Sequence, residues 1–162
     1  MLTLEGTTHA SGLRFAIVVA RFNDFVTEPL RAGAVAALTA AGVSDDGVTT
    51  LHVPGSFELP LAAQRAAETG QFDGIVCLGC LIRGATPHFE YISAAVAHGL
   101  THAAAATGVP MAFGVLTTNS AEEALERAQP GSGNKGWEAA MAAVEMATLL
   151  ARLERVATRS GA

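Results

Sequence analysis

Residues 79–92 of this chain have the sequence GCLIRGATPHFEYI, and this stretch indicates both the fold class and the place of a site. It follows an apolar run, residues 74–78, that is typical of a buried strand, and it leads into an alanine-rich segment that is typical of a helix. We expect Thr86 to be the N-cap of that helix, Pro87 its first residue and His88 its second. A strand that opens into a helix in this way leaves backbone N–H groups unpaired, so the junction predicts an anion-binding site.

The side chains around this junction suit a phosphorylated substrate. Residues 83–86 contribute an arginine, a glycine and a threonine hydroxyl to the predicted anion-binding loop, and the titratable ring of His88 follows directly. The alternative interpretation is a capped helix that carries a surface histidine, and the junction taken alone favours neither.

The rest of the chain alternates apolar strands with helical segments, which predicts an α/β fold with a parallel sheet covered by helices on both faces. The predicted strands are residues 13–20, 48–53, 74–81 and 109–116. The predicted helices are residues 26–41, 57–69, 89–107, 121–128 and 136–156. We interpret residues 13–158 as a single domain and residues 1–12 as an N-terminal arm. In such a sheet, ligands bind beyond the carboxyl ends of the strands.

The composition is poor in charge. Charged residues make up 15% of the chain, against about 25% in ordinary soluble proteins, and hydrophobic residues make up 50%. We therefore expect a homo-oligomer in which much of the surface contacts other copies. The formal net charge of −5, without a basic cluster, argues against nucleic-acid binding. No apolar run approaches the ~20 residues of a membrane helix, and the N-terminus lacks the pattern of a secretory signal, so we expect no membrane partner.

Cys77 and Cys80 form a C-x-x-C pair, but both lie in or beside a predicted strand rather than at the start of a helix. An extended chain places their Cα atoms roughly 10 Å apart, beyond the reach of a disulfide. We expect two buried thiols and a reducing, cytoplasmic location. His98 and His102 are four residues apart on one predicted helix, yet no third ligand is evident, so we expect no metal site.

Five segments, in order along the chain, resemble the lumazine synthase family of riboflavin biosynthesis. They are RFN at residues 21–23, VPGSFELP at 53–60, the stretch 79–92, FGVLTT at 113–118, and Arg127 followed by GNKG at 133–136. The resemblance implies a three-layer sandwich around a four-stranded parallel sheet of flavodoxin-like order. It also implies the condensation of 5-amino-6-(D-ribitylamino)uracil with L-3,4-dihydroxy-2-butanone 4-phosphate, a reaction that needs no cofactor.

The resemblance assigns one group of residues to the pyrimidine substrate. Phe22 is the platform for its ring, and Phe113, interpreted as following the fourth strand, completes the pocket from a neighbouring subunit. The remaining contacts are those of Ser56, Phe57 and Glu58 to the ribityl chain and of the Cys80, Leu81 and Ile82 backbones to the uracil edge. Without the resemblance, Phe22 is better interpreted as a core residue, and Glu58 as an acid that suits a helix start.

A second group of residues is assigned to the phosphate and to proton transfer. The resemblance places the phosphate at Ala85 and Thr86, with Arg127 as a fixed bidentate cation and Lys135, the only lysine in the chain, as an additional ligand. Arg127 is alternatively a solvated arginine favoured by the end of its helix. We expect His88 to take up and return the proton.

Two other functions are compatible with the same residues. One is a non-catalytic carrier of flavin or lumazine, and the other is an enzyme that forms a Schiff base on Lys135. The resemblance further implies riboflavin synthase as a partner and assembly into pentamers, pairs of pentamers or icosahedral shells of sixty subunits. The glycine-rich loop at residues 129–135 bears on contacts between pentamers, but its sequence does not decide among these assemblies.

Overall fold

Four parallel strands form the sheet in a computed structural model that describes residues 1–161. The strands are β1 (Phe15–Ala20), β2 (Val48–Val53), β3 (Gly74–Ile82) and β4 (Met111–Thr118), and their order in the sheet is β2-β1-β3-β4. β1 is buried along its whole length because helices cover both faces of the sheet. The predicted flavodoxin-like order is confirmed.

Five helices cover the two faces: α1 (Asp24–Ala40), α2 (Leu59–Glu68), α3 (His88–Thr107), α4 (Ala121–Arg127) and α5 (Lys135–Ser160). Alternate residues of β1 belong to two separate apolar cores, as the two-residue period of a strand requires. Ile17 packs in the core that includes residues of α1, α4 and α5, whereas Val18 packs in the core that includes residues of α2 and α3. The predicted three-layer sandwich is therefore confirmed. Within residues 1–161, no helix is both long and apolar enough to cross a membrane.

The fourth strand begins and ends later than predicted. Pro110 lacks the N–H that a ladder needs, but its carbonyl accepts a hydrogen bond from Ile75 N at 2.8 Å, and regular pairing starts at Met111. Pairing continues to Thr118, which lies opposite Ile82. The interpretation that Phe113 follows this strand is wrong, because Phe113 is the third residue of β4.

β3 extends beyond its neighbour β1 at the carboxyl end of the sheet. The pairing of β1 with β3 ends at Val19 opposite Leu78, whereas the pairing of β3 with β4 continues to Ile82. Residues 79–82 therefore have a strand neighbour on the β4 side only. This leaves a short edge of backbone on the β1 side, next to the segments that follow β1 and β2.

The first residues of the chain pack along α5. Thr7 N donates a hydrogen bond to Thr148 Oγ1 at 2.8 Å, and Arg152 Nη1 donates to Glu5 O at 2.8 Å. These contacts connect the segment before β1 to the last helix.

Candidate active site

A cavity of about 670 Å³, which we call the first cavity, opens at the carboxyl ends of β1, β2 and β3. Eight of the predicted site residues line it: Phe22, Ser56, Phe57, Glu58, Leu81, Ile82, Thr86 and His88. They come from the last residues of β3 and from the segments that follow β1, β2 and β3, so the strand order brings them together.

Two exposed aromatic rings mark the first cavity. Phe22 is 68% exposed and Phe57 62% exposed, so neither ring closes the core, and the core interpretation of Phe22 is wrong. Phe22 N donates to Pro54 O at 3.0 Å, which fixes the backbone between β1 and β2. The next residue, Asn23, has a left-handed backbone (φ 61°), a conformation that asparagine tolerates better than most residues. Its Nδ2 donates to Cys80 O at 2.9 Å and so fastens this turn to β3.

The segment after β2 is held against β3 by a close approach. Ser56 is buried, and a Cβ atom on Gly79 would collide with Ser56 Oγ, so only glycine at position 79 permits this packing. Glu58 Oε2 accepts a hydrogen bond from Gly55 N at 3.0 Å and closes the turn that starts α2. Ser56 and Glu58 therefore present oxygen atoms to the first cavity from a fixed backbone.

The backbone of residues 79–82 faces alternately towards β4 and towards the first cavity. Arg83 N donates to Thr118 O at 2.8 Å, which places Arg83 on the β4 side. The alternation then directs the backbone groups of Ile82 and Cys80 to the other side, in agreement with the bond from Asn23 to Cys80 O. Leu81 lines the first cavity as well, but its N–H and C=O face β4 by the same rule. The Cys80 side chain itself is buried, which raises the pKa of its thiol to about 11.

The start of α3 differs from the sequence prediction, because the N-cap is Pro87 rather than Thr86, and His88 is the first helical residue. The ψ angle of Pro87 is 5°, outside the helical range, so the first helical residue is His88, one residue after the Pro87 of the predicted capping pattern and one before the predicted range 89–107. Thr86 then lies one position too early to cap, and Pro87 has no side-chain oxygen to offer. Glu90 interacts with the helix end instead: a hydrogen bond from its own N–H, and then the Arg83 guanidinium, lower its pKa. The backbone N–H groups ahead of Glu90 stay available to an anion.

The charge of Arg83 is already engaged within this chain. Its Nε donates to Asn119 Oδ1 at 3.0 Å, its guanidinium lies 4.6 Å from the centre of the Phe89 ring, and it forms an ion pair with Glu90. These contacts brace the loop before α3 between β4 and the first turn of the helix. A bound phosphate would therefore need further cations for its charge.

A separate cavity of about 380 Å³, the second cavity, lies beside the edge strand β4. Phe113, Arg127 and Lys135 line it together with Glu138. Arg127 Nη1 donates to Glu123 O at 2.9 Å, and Lys135 Nζ lies 2.8 Å from Glu138 Oε2. The structure thus divides the predicted site residues between two cavities. Of the others, Ala85 is exposed in the loop before α3, and Cys80 is buried beneath the first cavity.

Two residues that support the first cavity were missed at the level of sequence. Asn23 and Gly79 act through partners more than twenty residues away, Cys80 and Ser56, so no local pattern marks their roles. An asparagine directly after a strand was the one available indication, because this residue is enriched in left-handed turns. Among residues 1–161, no three His, Cys, Asp or Glu side chains converge in a group that could hold a metal ion.

Comparison with known proteins identifies the family. A family model described as 6,7-dimethyl-8-ribityllumazine synthase matches residues 12–151. The 6,7-dimethyl-8-ribityllumazine synthase of Desulfatibacillum aliphaticivorans is 48% identical over 146 residues, which are 90% of this chain and 94% of the relative. The enzyme of the same name from Syntrophus aciditrophicus (strain SB) is 52% identical over 149 residues, which are 92% of this chain and 97% of the relative. The chain therefore belongs to the 6,7-dimethyl-8-ribityllumazine synthase family.

Proposed function

We propose that the first cavity of one subunit and the second cavity of its neighbour together form the site at which two substrates are condensed. The reaction itself follows from family membership. Like other members, this chain condenses 5-amino-6-(D-ribitylamino)uracil with L-3,4-dihydroxy-2-butanone 4-phosphate to give 6,7-dimethyl-8-ribityllumazine, phosphate and water. Family membership favours this enzyme over the non-catalytic carrier.

The pyrimidine substrate is assigned to the first cavity. The exposed ring of Phe22 offers a stacking surface, and the Ile82 backbone offers a donor and an acceptor to the uracil edge. Ser56 and Glu58 lie on the wall that follows β2, where their oxygen atoms suit the hydroxyls of a ribityl chain. The Cys80 carbonyl accepts a hydrogen bond from Asn23, so it is not the acceptor offered to the substrate.

The phosphate of the second substrate is assigned to the loop before α3. Ala85 and Thr86 are exposed there, and the uncapped first turn of α3 offers N–H groups and the positive end of its dipole. Arg83 is engaged by Glu90 and Lys135 by Glu138, so we assign the additional positive charge chiefly to Arg127 of the neighbouring subunit, whose Nη1 donates to a backbone carbonyl, with Lys135 as a secondary ligand.

His88 is the proposed proton-transfer residue, since it lines the first cavity at the start of α3, between the pyrimidine and phosphate positions. The substrate's own amine forms an imine with the ketone and releases one water, phosphate leaves by elimination, and the ring closes with loss of a second water. Most of the acceleration comes from holding two reactants together, and general acid–base catalysis by His88 adds about 10²–10⁴-fold.

The proposal of a shared site rests on the separation of the two cavities within one subunit. Phe113 belongs to the edge strand β4, whereas Phe22 and Ser56 follow β1 and β2, with β3 between. A neighbouring copy that places its β4 edge against the first cavity would complete the site. Exposed apolar side chains near the first cavity suit such a contact, namely Phe57, Leu61 and Tyr91. We infer a pentamer, cytoplasmic like the pathway it serves, with riboflavin synthase as the partner that consumes its product.

The test is to mix the two substrates with purified protein and to follow lumazine absorbance and phosphate release together. We expect both signals in equal amounts, and neither with one substrate alone. Bound lumazine or flavin without turnover would establish the carrier instead. Borohydride in the presence of the ketone phosphate should leave Lys135 unmodified, whereas a covalent adduct on that lysine would establish the Schiff-base mechanism.

A further inference from the structure

We propose that Asn134 is a positioning residue that holds Arg127 and Lys135 at the second cavity. This inference rests on the phosphate-binding role proposed above for the two cations. Asn134 is only 1% exposed, and it precedes the first residue of α5.

The side chain of Asn134 uses its full hydrogen-bonding capacity. Its Oδ1 accepts from Gly136 N at 2.8 Å and from Trp137 N at 3.1 Å, so it caps α5. Its Nδ2 donates to Ala128 O at 3.0 Å and to Pro29 O at 3.2 Å. An amide can make four such bonds, and all four are made within the protein.

These bonds join three elements at the point where the two cations lie. Ala128 directly follows Arg127 at the end of α4, and Lys135 directly follows Asn134 at the start of α5. The bond to Pro29 O anchors both ends on α1. The start of α5 also presses on α1, since a Cβ atom on Gly136 would collide with the Leu30 carbonyl.

The loop between the two cations has few constraints of its own, namely Pro130 and one turn in which Asn134 N donates to Gly131 O at 3.1 Å. Residues 129–133 are exposed, Gly131 has a left-handed backbone (φ 111°), and the space around Gly131 and Gly133 is open. Such a loop can adopt many conformations. Asn134 bridges its two ends, so the distance between Arg127 and Lys135 depends on one buried amide rather than on the loop.

The experiment compares Asn134→Asp with the unchanged protein in steady-state kinetics at 20 °C, where circular dichroism verifies folding. The introduced carboxylate keeps an oxygen that can cap α5. It loses the N–H groups that donate to Ala128 O and Pro29 O, and its second oxygen then faces these two carbonyl oxygens. We expect the KM for the ketone phosphate to rise between about 10- and 100-fold, because small misplacements of binding groups are costly. The KM for the pyrimidine should change less than twofold.

Two controls separate positioning from general destabilisation. Leu38→Ala removes a fully buried side chain near the opposite end of α1, so it should lower stability while leaving both KM values unchanged. Inserting two glycines between Gly131 and Ser132 lengthens the loop but keeps Asn134, and it should also leave both KM values unchanged. Equal rises of both KM values in Asn134→Asp would overturn the proposal. A raised KM for the ketone phosphate in the insertion variant would also overturn it, and this variant can be assayed even if Asn134→Asp proves too unstable.

Arg127→Ala distinguishes failure of this inference from failure of the proposed site. If Arg127→Ala raises the KM for the ketone phosphate but Asn134→Asp does not, only the positioning role is wrong. If neither variant raises it, the phosphate role of the cations is wrong, and the positioning role with it.

Discussion

His88 is the residue whose replacement should separate chemistry from binding. We expect His88→Ala to lower kcat roughly 10–10³-fold, because the proton shuttle is lost while both substrates are still held together. Its KM values should stay close to those of the unchanged protein. His102→Ala is the matched control, since His102 is exposed on the same helix but lies outside the first cavity. An unchanged kcat in steady-state assays of His88→Ala would remove this residue from the mechanism.

At the scale of residues, sequence was informative where a side chain acts through its own position and silent where it acts through a distant partner. Phe22 and His88 were predicted as site residues and do line the first cavity. The capping role predicted for Thr86 was wrong, because the ψ angle of Pro87 decides where α3 starts. Asn134 lies within the GNKG motif, but its bonds to Ala128 and Pro29 depend on tertiary packing.

At the scale of elements, the two buried cysteines of β3 predict how the stability of the protein depends on pH. Burial raises the pKa of Cys77 to about 12 and that of Cys80 to about 11, above the value of about 8.5 for a free thiol. The folded state therefore retains protons that the unfolded state releases. The resulting contribution to stability is complete below about pH 8.5 and is lost as pH rises through the folded-state values.

This loss is measurable in urea unfolding at pH 7.5 and pH 9.5, at equal protein concentration. The free energy of unfolding should fall more in the unchanged protein than in the Cys77→Ala/Cys80→Ala double variant, by on the order of 1 kcal/mol per thiol. The comparison uses only the change in the free energy of unfolding with pH. Any constant loss of stability from a cavity left by the substitutions therefore cancels. Parallel falls in the two proteins would show that the thiols titrate normally in the folded state.

Every predicted strand and helix exists, and the differences lie at their ends. The apolar runs of the strands and the spacing of apolar residues in the helices identify the elements because both depend on local periodicity. The bounds of β4 depend instead on which residues of β3 lie opposite, and Pro110 together with the extended end of β3 moves them towards the carboxyl end. The same shift places Phe113 inside the strand.

At the scale of the whole molecule, a shared site predicts complementation between inactive subunits. Phe22→Asp disables the first cavity. Arg127→Ala raises the KM for the ketone phosphate, so it has little activity when the mixtures are assayed well below that KM. A mixed oligomer would combine an intact first cavity from one variant with an intact second cavity from the other. An intact site needs the first cavity of an Arg127→Ala subunit next to the second cavity of a Phe22→Asp subunit. With random mixing in equal amounts, roughly a quarter of neighbouring pairs meet this condition, so about a quarter of the activity of the unchanged protein should return.

The matched control mixes Phe22→Asp with His88→Ala, whose defects both lie in the first cavity. No mixed site is then intact, and activity should stay at the level of the separate variants. The measurement is lumazine formation after unfolding and joint refolding, with mass spectrometry to verify mixed oligomers. Verified mixed oligomers of the first pair that remain inactive, or a monomer with full turnover, would contradict the shared site.

The division of the predicted site residues between two cavities was partly predictable. In the predicted strand order, Arg127 follows the edge strand that is farther from Phe22. This order already indicated two separate groups of site residues. The low fraction of charged residues indicated an oligomer for an independent reason. The exposed apolar side chains, such as Leu61 and Tyr91, could not be told from core residues by sequence, because their helices carry apolar residues on more than one side.

The extension of β3 past β1 has a consequence for drug resistance. An inhibitor that takes its hydrogen bonds from the Ile82 main chain would contact groups that every amino acid except proline retains. Point substitutions at this position change the side chain but leave the same N–H and C=O in place. Escape would have to come from residues that shape the backbone, such as Gly79, where a Cβ atom would collide with Ser56 and disturb the proposed substrate site. Resistance by that route would weaken the enzyme together with the inhibitor.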